Sequence, residues 1–94
     1  MYKFIITIEL EPGSRDTVLA RAPAVLAATR AEEGCIGYDF YASIDDPDKI
    51  VFVENWRDEA AHAFHMEQSY TKEWIAFHEQ YDRKLTFETI NPAA

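Results

Sequence analysis

The chain has 94 residues, with 17 acidic side chains against 9 Lys and Arg and a formal charge of −8. That length supports one domain, spanning 1–94, and a domain this small buries only part of its surface, so a partner subunit is expected. The acidic balance and the lack of any Lys/Arg cluster argue against nucleic acid and anionic membranes as partners. No apolar run approaches the roughly 20 residues of a membrane helix. The start, Met1-Tyr2-Lys3-Phe4, moves straight into alternating residues, without the features of a signal peptide, so the cytoplasm is the expected compartment. Cys35 is the single cysteine, which leaves no intramolecular disulfide and no cysteine-based metal framework.

Over residues 2–11 the apolar side chains Tyr2, Phe4, Ile6, Ile8 and Leu10 recur at every second position, which predicts a strand ended by Pro12-Gly13. Ser14 is placed to cap a helix with the stripe Val18, Ala22, Val25, Leu26 and Thr29. Pro23 falls inside that helix, where it removes the hydrogen bond to the Leu19 carbonyl and is expected to kink it. Glu32-Glu33-Gly34 closes the segment, with Gly34 suited to a left-handed C-cap. A second strand is predicted over 35–43, followed by turn chemistry at Asp45-Asp46-Pro47-Asp48. The strand over 50–56 has Ile50, Phe52 and Trp56 on one face and Val51 and Val53 on the other, as expected of a central strand covered on two sides.

Asp58 is expected to cap a short helix through about Met66, and Ser69 a longer one with the stripe Tyr70, Trp74, Phe77, His78 and Tyr81. Residues 85–90 alternate again as a last strand, and 91–94 are expected as a frayed tail. Strand, helix, strand, strand, helix pair, strand is the order of a split βαβ unit. The fold class is therefore α+β and ferredoxin-like, with a four-stranded antiparallel sheet and its helices on one face. The other face, apolar on this pattern, is expected to pack against a second copy in a homodimer.

The run Glu32-Glu33-Gly34-Cys35-Ile36-Gly37-Tyr38, then Glu54-Asn55-Trp56, Asp58, Ala61 and His65 at their spacings, resembles the antibiotic biosynthesis monooxygenase (ABM) family. The most specific part is E-x-W-x-D-x-x-A-x-x-x-H from Glu54 to His65. The resemblance implies a dimeric α+β barrel with a pocket in each subunit. In some members it also implies oxidation of quinols or polycyclic phenols by dioxygen with no cofactor: no metal, flavin or haem. Haem-degrading relatives carry an Asn on the first strand and a helical Trp and His. Here Thr7 holds the strand position and His65 stands where the helical Trp would be, so haem degradation is disfavoured.

Within that frame His65 is the candidate base, because an imidazole titrates near 6.5 and can take a phenolic proton. Glu54 shares a strand face with Phe52 and Trp56, and a buried carboxylate needs a partner or a raised pKa; it is the second catalytic candidate, or else a structural acid. Tyr38, Trp56, Tyr70, Trp74 and Phe77 are the candidate lining for a small aromatic substrate, though the same residues would also serve a plain core. His62 and His65 lie three apart on one helical face, but that spacing is common and no metal is expected. Two other readings remain: a non-catalytic ligand-binding dimer, and an isomerase or enzyme processing a small signal molecule.

Overall fold

A computed structural model describes residues 1–90; the tail expected over 91–94 lies outside the described residues. The chain runs β1 (Tyr2–Leu10), α1 (Arg15–Ala20), α2 (Ala22–Arg30), β2 (Cys35–Ala42), β3 (Lys49–Trp56), α3 (Glu59–Met66), α4 (Ser69–Glu79) and β4 (Asp82–Thr89). The strands form one antiparallel sheet in the order β2-β3-β1-β4. β1 therefore sits parallel to β2 across β3, and β3 parallel to β4 across β1, which is the split βαβ arrangement.

Register follows from the period of two. Phe4 pairs with Glu54 and Ile8 with Ile50 across β1 and β3, while Tyr38 pairs with Glu54 and Phe40 with Phe52 across β2 and β3. Those residues share the face on which the helices pack. Ile8, Leu10, Ile50 and Phe52 join Val18, Ala22, Val25 and Trp74 in the larger core, and Phe4, Tyr38, Trp56 and Ala61 form a second. Both central strands, β3 and β1, carry residues of the two clusters, and both clusters lie on the helix-covered face; Val51 and Val53 on the other face of β3 join neither, so the coverage on two sides expected of 50–56 is not met within one chain.

Among the described residues, no helix packs on the opposite face. Ile5, Val51, Val53 and Thr7 make its centre, with Tyr41 beside Val51, and Lys3, Asn55, Asp39 and Glu88 border them. Backbone alternation alone puts these residues there, since each is one step from a buried neighbour.

Local differences from the sequence expectation have physical causes. Pro23 does not kink one long helix: the helix breaks at Arg21, and Pro23 falls in the first turn of α2, where a missing N–H costs nothing. Ser14 stands at the N-cap of α1, but its hydroxyl donates back to the Glu11 carbonyl at 2.7 Å. The N-cap of α4 is Gln68, with Ser69 already inside the helix. Asp58 caps α3 as its position suggests, its Oδ1 accepting from the Ala61 amide at 2.8 Å. Gly34 is not a left-handed cap either; only Gly13, with φ of 80°, has that conformation among the described residues. What Gly34 allows is close approach, because a Cβ there would collide with the Cβ of Ala61 on α3.

That contact draws the end of the α2–β2 connection against α3, and the Arg57 amide donates to the Gly34 carbonyl at 2.9 Å. Glu32 is thereby carried to the helix that bears His65.

Candidate functional site

Between the helices and the sheet lies a cavity of about 210 Å³. Its floor is Phe4, Ile6, Tyr38, Phe52 and Glu54 from the sheet, and its walls come from α3 (His62, His65, Met66) and α4 (Thr71, Trp74, Ile75, His78, Glu79). Leu85 and Phe87 of β4 edge it and are about half exposed, so the mouth opens along that strand. An apolar cavity of roughly 150 Å³ is enough to hold benzene, so this one has room for a molecule of one or two rings. A larger hollow, about 490 Å³, lies outside between α2 and α3 and is lined by Ala28, Ala31, Ala60, Phe64, Arg57 and Tyr70. The inner cavity is the candidate site because its apolar walls carry the buried titratable groups.

His65 is almost fully buried. Its Nδ1 lies 2.7 Å from Glu32 Oε2, and the Tyr70 hydroxyl donates to that same oxygen at 2.6 Å. Thr71 Oγ1 is 3.3 Å from the same ring nitrogen. An ionised carboxylate only accepts, so Nδ1 carries the hydrogen and the basic lone pair sits on Nε2. The ring packs on Trp56, with centroids 4.6 Å apart, and edge-on to Tyr38 at 5.4 Å. Glu32 Oε1 is buried with no hydrogen-bond partner among the described residues. The carboxylate's whole interaction thus falls on the oxygen facing His65 and Tyr70.

Glu54 is the other buried acid. Trp56 Nε1 donates to its Oε1 at 3.1 Å, and burial pushes its carboxyl up to about 7, against the opposing pull of that hydrogen bond. Burial also pushes the Tyr38 hydroxyl far above its ordinary range, with the Glu54 charge adding to it. Tyr70 is raised too, by desolvation and then by its bond to Glu32. For His62, half-buried between Phe4 and Trp56, desolvation lowers the pKa and the neighbouring His65 lowers it further.

Of the residues singled out in the sequence, His65, Glu54, Tyr38 and Trp74 line the cavity together. Trp56 lies behind its wall, fully buried, and holds Glu54. Tyr70 faces the outer groove, and its hydroxyl reaches Glu32. Phe77 is outside the lining and packs against Tyr81, with the Arg21 guanidinium 4.1 Å from its ring centroid. Trp74 and His78 of the expected stripe are buried, joined by Thr71, while Tyr70, Phe77 and Tyr81 are partly buried or lie at the edge of the same core. Thr7 points to the uncovered face of the sheet.

Sequence reasoning missed Glu32 and Thr71 as partners of His65, and His78 with Asp82. Glu32 opens the run that resembles the ABM family, but nothing in its own neighbourhood marks it as the partner of a histidine 33 residues away. Among the described residues, no three His, Cys, Asp or Glu side chains converge closely enough to hold a metal ion.

The family model described as "Antibiotic biosynthesis monooxygenase" matches residues 1–79. A Bacillus subtilis protein named "Putative monooxygenase YcnE" is 33% identical over 69 residues, which is 73% of this chain and 73% of that protein. A solved structure described as an antibiotic biosynthesis monooxygenase superposes with a TM-score of 0.91 at 26% identity, covering 100% of both chains. PA3566 from Pseudomonas aeruginosa gives 0.89 at 26% identity, covering 99% of this chain and 94% of that one. This chain belongs to the antibiotic biosynthesis monooxygenase family.

Proposed function

We propose that this protein is a monooxygenase that oxidises a small electron-rich aromatic, a quinol or phenol, with dioxygen and no bound cofactor. The observation that carries this reading is the buried Glu32–His65 pair in the wall of an apolar, ring-sized cavity. Family membership and the names of the relatives support it.

In this reading the substrate hydroxyl gives its proton to His65 Nε2, and the positive charge that forms on the ring is stabilised by Glu32 through Nδ1–H. The resulting phenolate, held out of water, is a far better electron donor than the phenol and can reduce dioxygen directly. For a dihydroxy ring the balance is one ring plus one dioxygen giving a hydroxyquinone plus water, with all four electrons coming from the substrate. Trp74 and Phe52 offer faces for the ring, and Glu54, neutral over much of its range, offers a hydrogen bond to a substrate oxygen.

Oxygen-electrode traces with menadiol, a catechol and an anthrone test this. Uptake with one of them, abolished in His65→Ala, is the expected result. Tight binding of such a ring without oxygen consumption would instead mark a ligand-binding protein.

We propose in addition that two copies pair through the uncovered sheet face, burying Ile5, Val51 and Val53. The residues bordering that centre, Lys3 and Asp39 among them, are of both charge signs, which suits a twofold contact. Light scattering after size exclusion tests it, and a monomer at micromolar concentration overturns it.

A further inference from the structure

Tyr70 stands outside the cavity yet reaches the Glu32–His65 pair in its wall. It is the second residue of α4 and lines the outer groove together with Glu32. Its hydroxyl donates to Glu32 Oε2 at 2.6 Å, and the His65 ring meets the same oxygen through Nδ1 at 2.7 Å. Both are short, charge-assisted contacts. With Oε1 left without a hydrogen-bond partner among the described residues, two donors share one oxygen of the carboxylate. The Glu32 side chain is only 5% exposed, so little water is at hand to share its charge with them.

The other groups that face His65 are Tyr38 of β2, with ring centroids 5.4 Å apart, Glu54 of β3 in the cavity floor, His62 of α3 at 6.2 Å, and Tyr70 and Thr71 of α4. Among the described residues, Glu32 alone sets a carboxylate against a nitrogen of this ring. A buried carboxylate with a single donor would hold a proton on the imidazole tightly, and an imidazolium cannot accept a proton from a substrate. A second donor on the same oxygen weakens that hold, because a hydrogen bond to the charged form of an acid lowers its affinity for protons. Desolvation, and then the bond to Glu32 itself, push the Tyr70 hydroxyl upward, so it keeps its hydrogen and remains a donor.

We propose that Tyr70 is a positioning residue of the site: by donating to Glu32 Oε2 it limits the hold of that carboxylate on the His65 proton and keeps the imidazole free to accept. The proposal rests on the reading of His65 as the base and adds to it a residue that touches no substrate.

Tyr70→Phe removes the hydroxyl and keeps the ring, and because Tyr70 is not part of the cavity lining it leaves the room for a substrate as it is. Nitrogen-15 NMR of the histidine rings, followed against pH without substrate, is expected to show His65 taking up its proton about one pH unit higher in the variant than in wild type. His78, eight residues further along α4 and 2.8 Å from Asp82, serves as the internal reference and should not move. In oxygen uptake with menadiol the acid limb of kcat/KM should move upward by the same amount, a loss of up to about tenfold on that limb, with KM little changed. A His65 midpoint that stays in place or moves to lower pH overturns the proposal and leaves His65 as the base. So does a rate lowered equally at every pH, which is the mark of a structural loss. If the midpoint moves as expected and no ring supports oxygen uptake, the link from Tyr70 to His65 stands and the functional reading falls. Where Tyr70→Phe does not fold, the wild-type proton spectrum decides: the Tyr70 hydroxyl hydrogen should be slow to exchange and show cross-relaxation to the His65 Nδ1–H, and a freely exchanging hydroxyl overturns the proposal.

Discussion

Glu32 and His65 come from a loop and a helix 33 residues apart, yet their side chains meet at 2.7 Å, each about 95% or more buried. A carboxylate placed there fixes which nitrogen of the imidazole is basic and stabilises the imidazolium once a proton arrives. Replacing Glu32 by Gln keeps the shape and removes the charge. We expect kcat/KM for oxygen uptake to fall about 10- to 100-fold, against the larger loss of roughly 100-fold or more in His65→Ala, where the base itself is gone. Steady-state oxygen consumption of the two variants measures the difference, and equal losses would make Glu32 as essential as the base itself.

Glu54 gives the fold a pH dependence whose sign can be worked out. Burial raises its carboxyl from 4.5 to about 7, so the folded chain keeps a proton that the unfolded chain releases between those values. This contribution to stability is therefore fully present below 4.5 and is lost as pH rises through 7. A shift of that size corresponds to roughly 3 kcal/mol. Urea unfolding at pH 5 and pH 8 should show wild type losing more stability than Glu54→Gln, in which Gln still accepts from Trp56. Parallel pH profiles would contradict it.

Gly34 is required by the packing of the loop on α3. Its substitution by Ala drives a methyl into Ala61, with the Ala61 Cα only 3.4 Å away, so the backbone must move. A loss of about 1–3 kcal/mol is expected on overpacking grounds, together with weaker activity, because Glu32 moves with the loop. Gly13→Ala meets no atom within 4 Å and costs only the strain of its φ of 80°, about 1 kcal/mol. Thermal unfolding should therefore separate the two variants, and oxygen uptake should fall only in the first.

Trp74 lines the cavity and Trp56 lies behind it. A ring bound in the cavity should quench mainly Trp74, so Trp74→Phe is expected to remove most of the fluorescence change on ligand addition and Trp56→Phe to retain it. The reverse pattern would place the ligand elsewhere.

Val53 faces away from the helices and pairs with Ile5 and Asp39. In the proposed dimer, Val53→Glu, directly across from the like-charged Asp39, buries an unpaired charge at the centre of the contact. It should lower the apparent mass by light scattering towards one chain, whereas Glu88→Gln at the border should not.

Much of the fold is legible in the residues taken in order. Alternation at Phe4, Ile6, Ile8 and Leu10 defines a strand and which of its faces is buried, and Asp58 before Ala61 defines the start of α3, because such signals depend only on near neighbours. The E-x-W-x-D-x-x-A-x-x-x-H pattern places the family for the same reason: strand, turn and helix there are continuous in the chain.

What the tertiary structure alone decided is which distant groups meet. Helical period cannot tell whether Tyr70 or Thr71 lies against His65, since a small rotation of α4 exchanges them. The carboxylate partners of His65 and His78 depend on how a loop and a strand dock against the helices. Gly34 seated against Ala61 brings up Glu32, and the start of β4 brings up Asp82. Those contacts are set by packing across the whole domain, while periodicity reaches no further than a few residues along the chain.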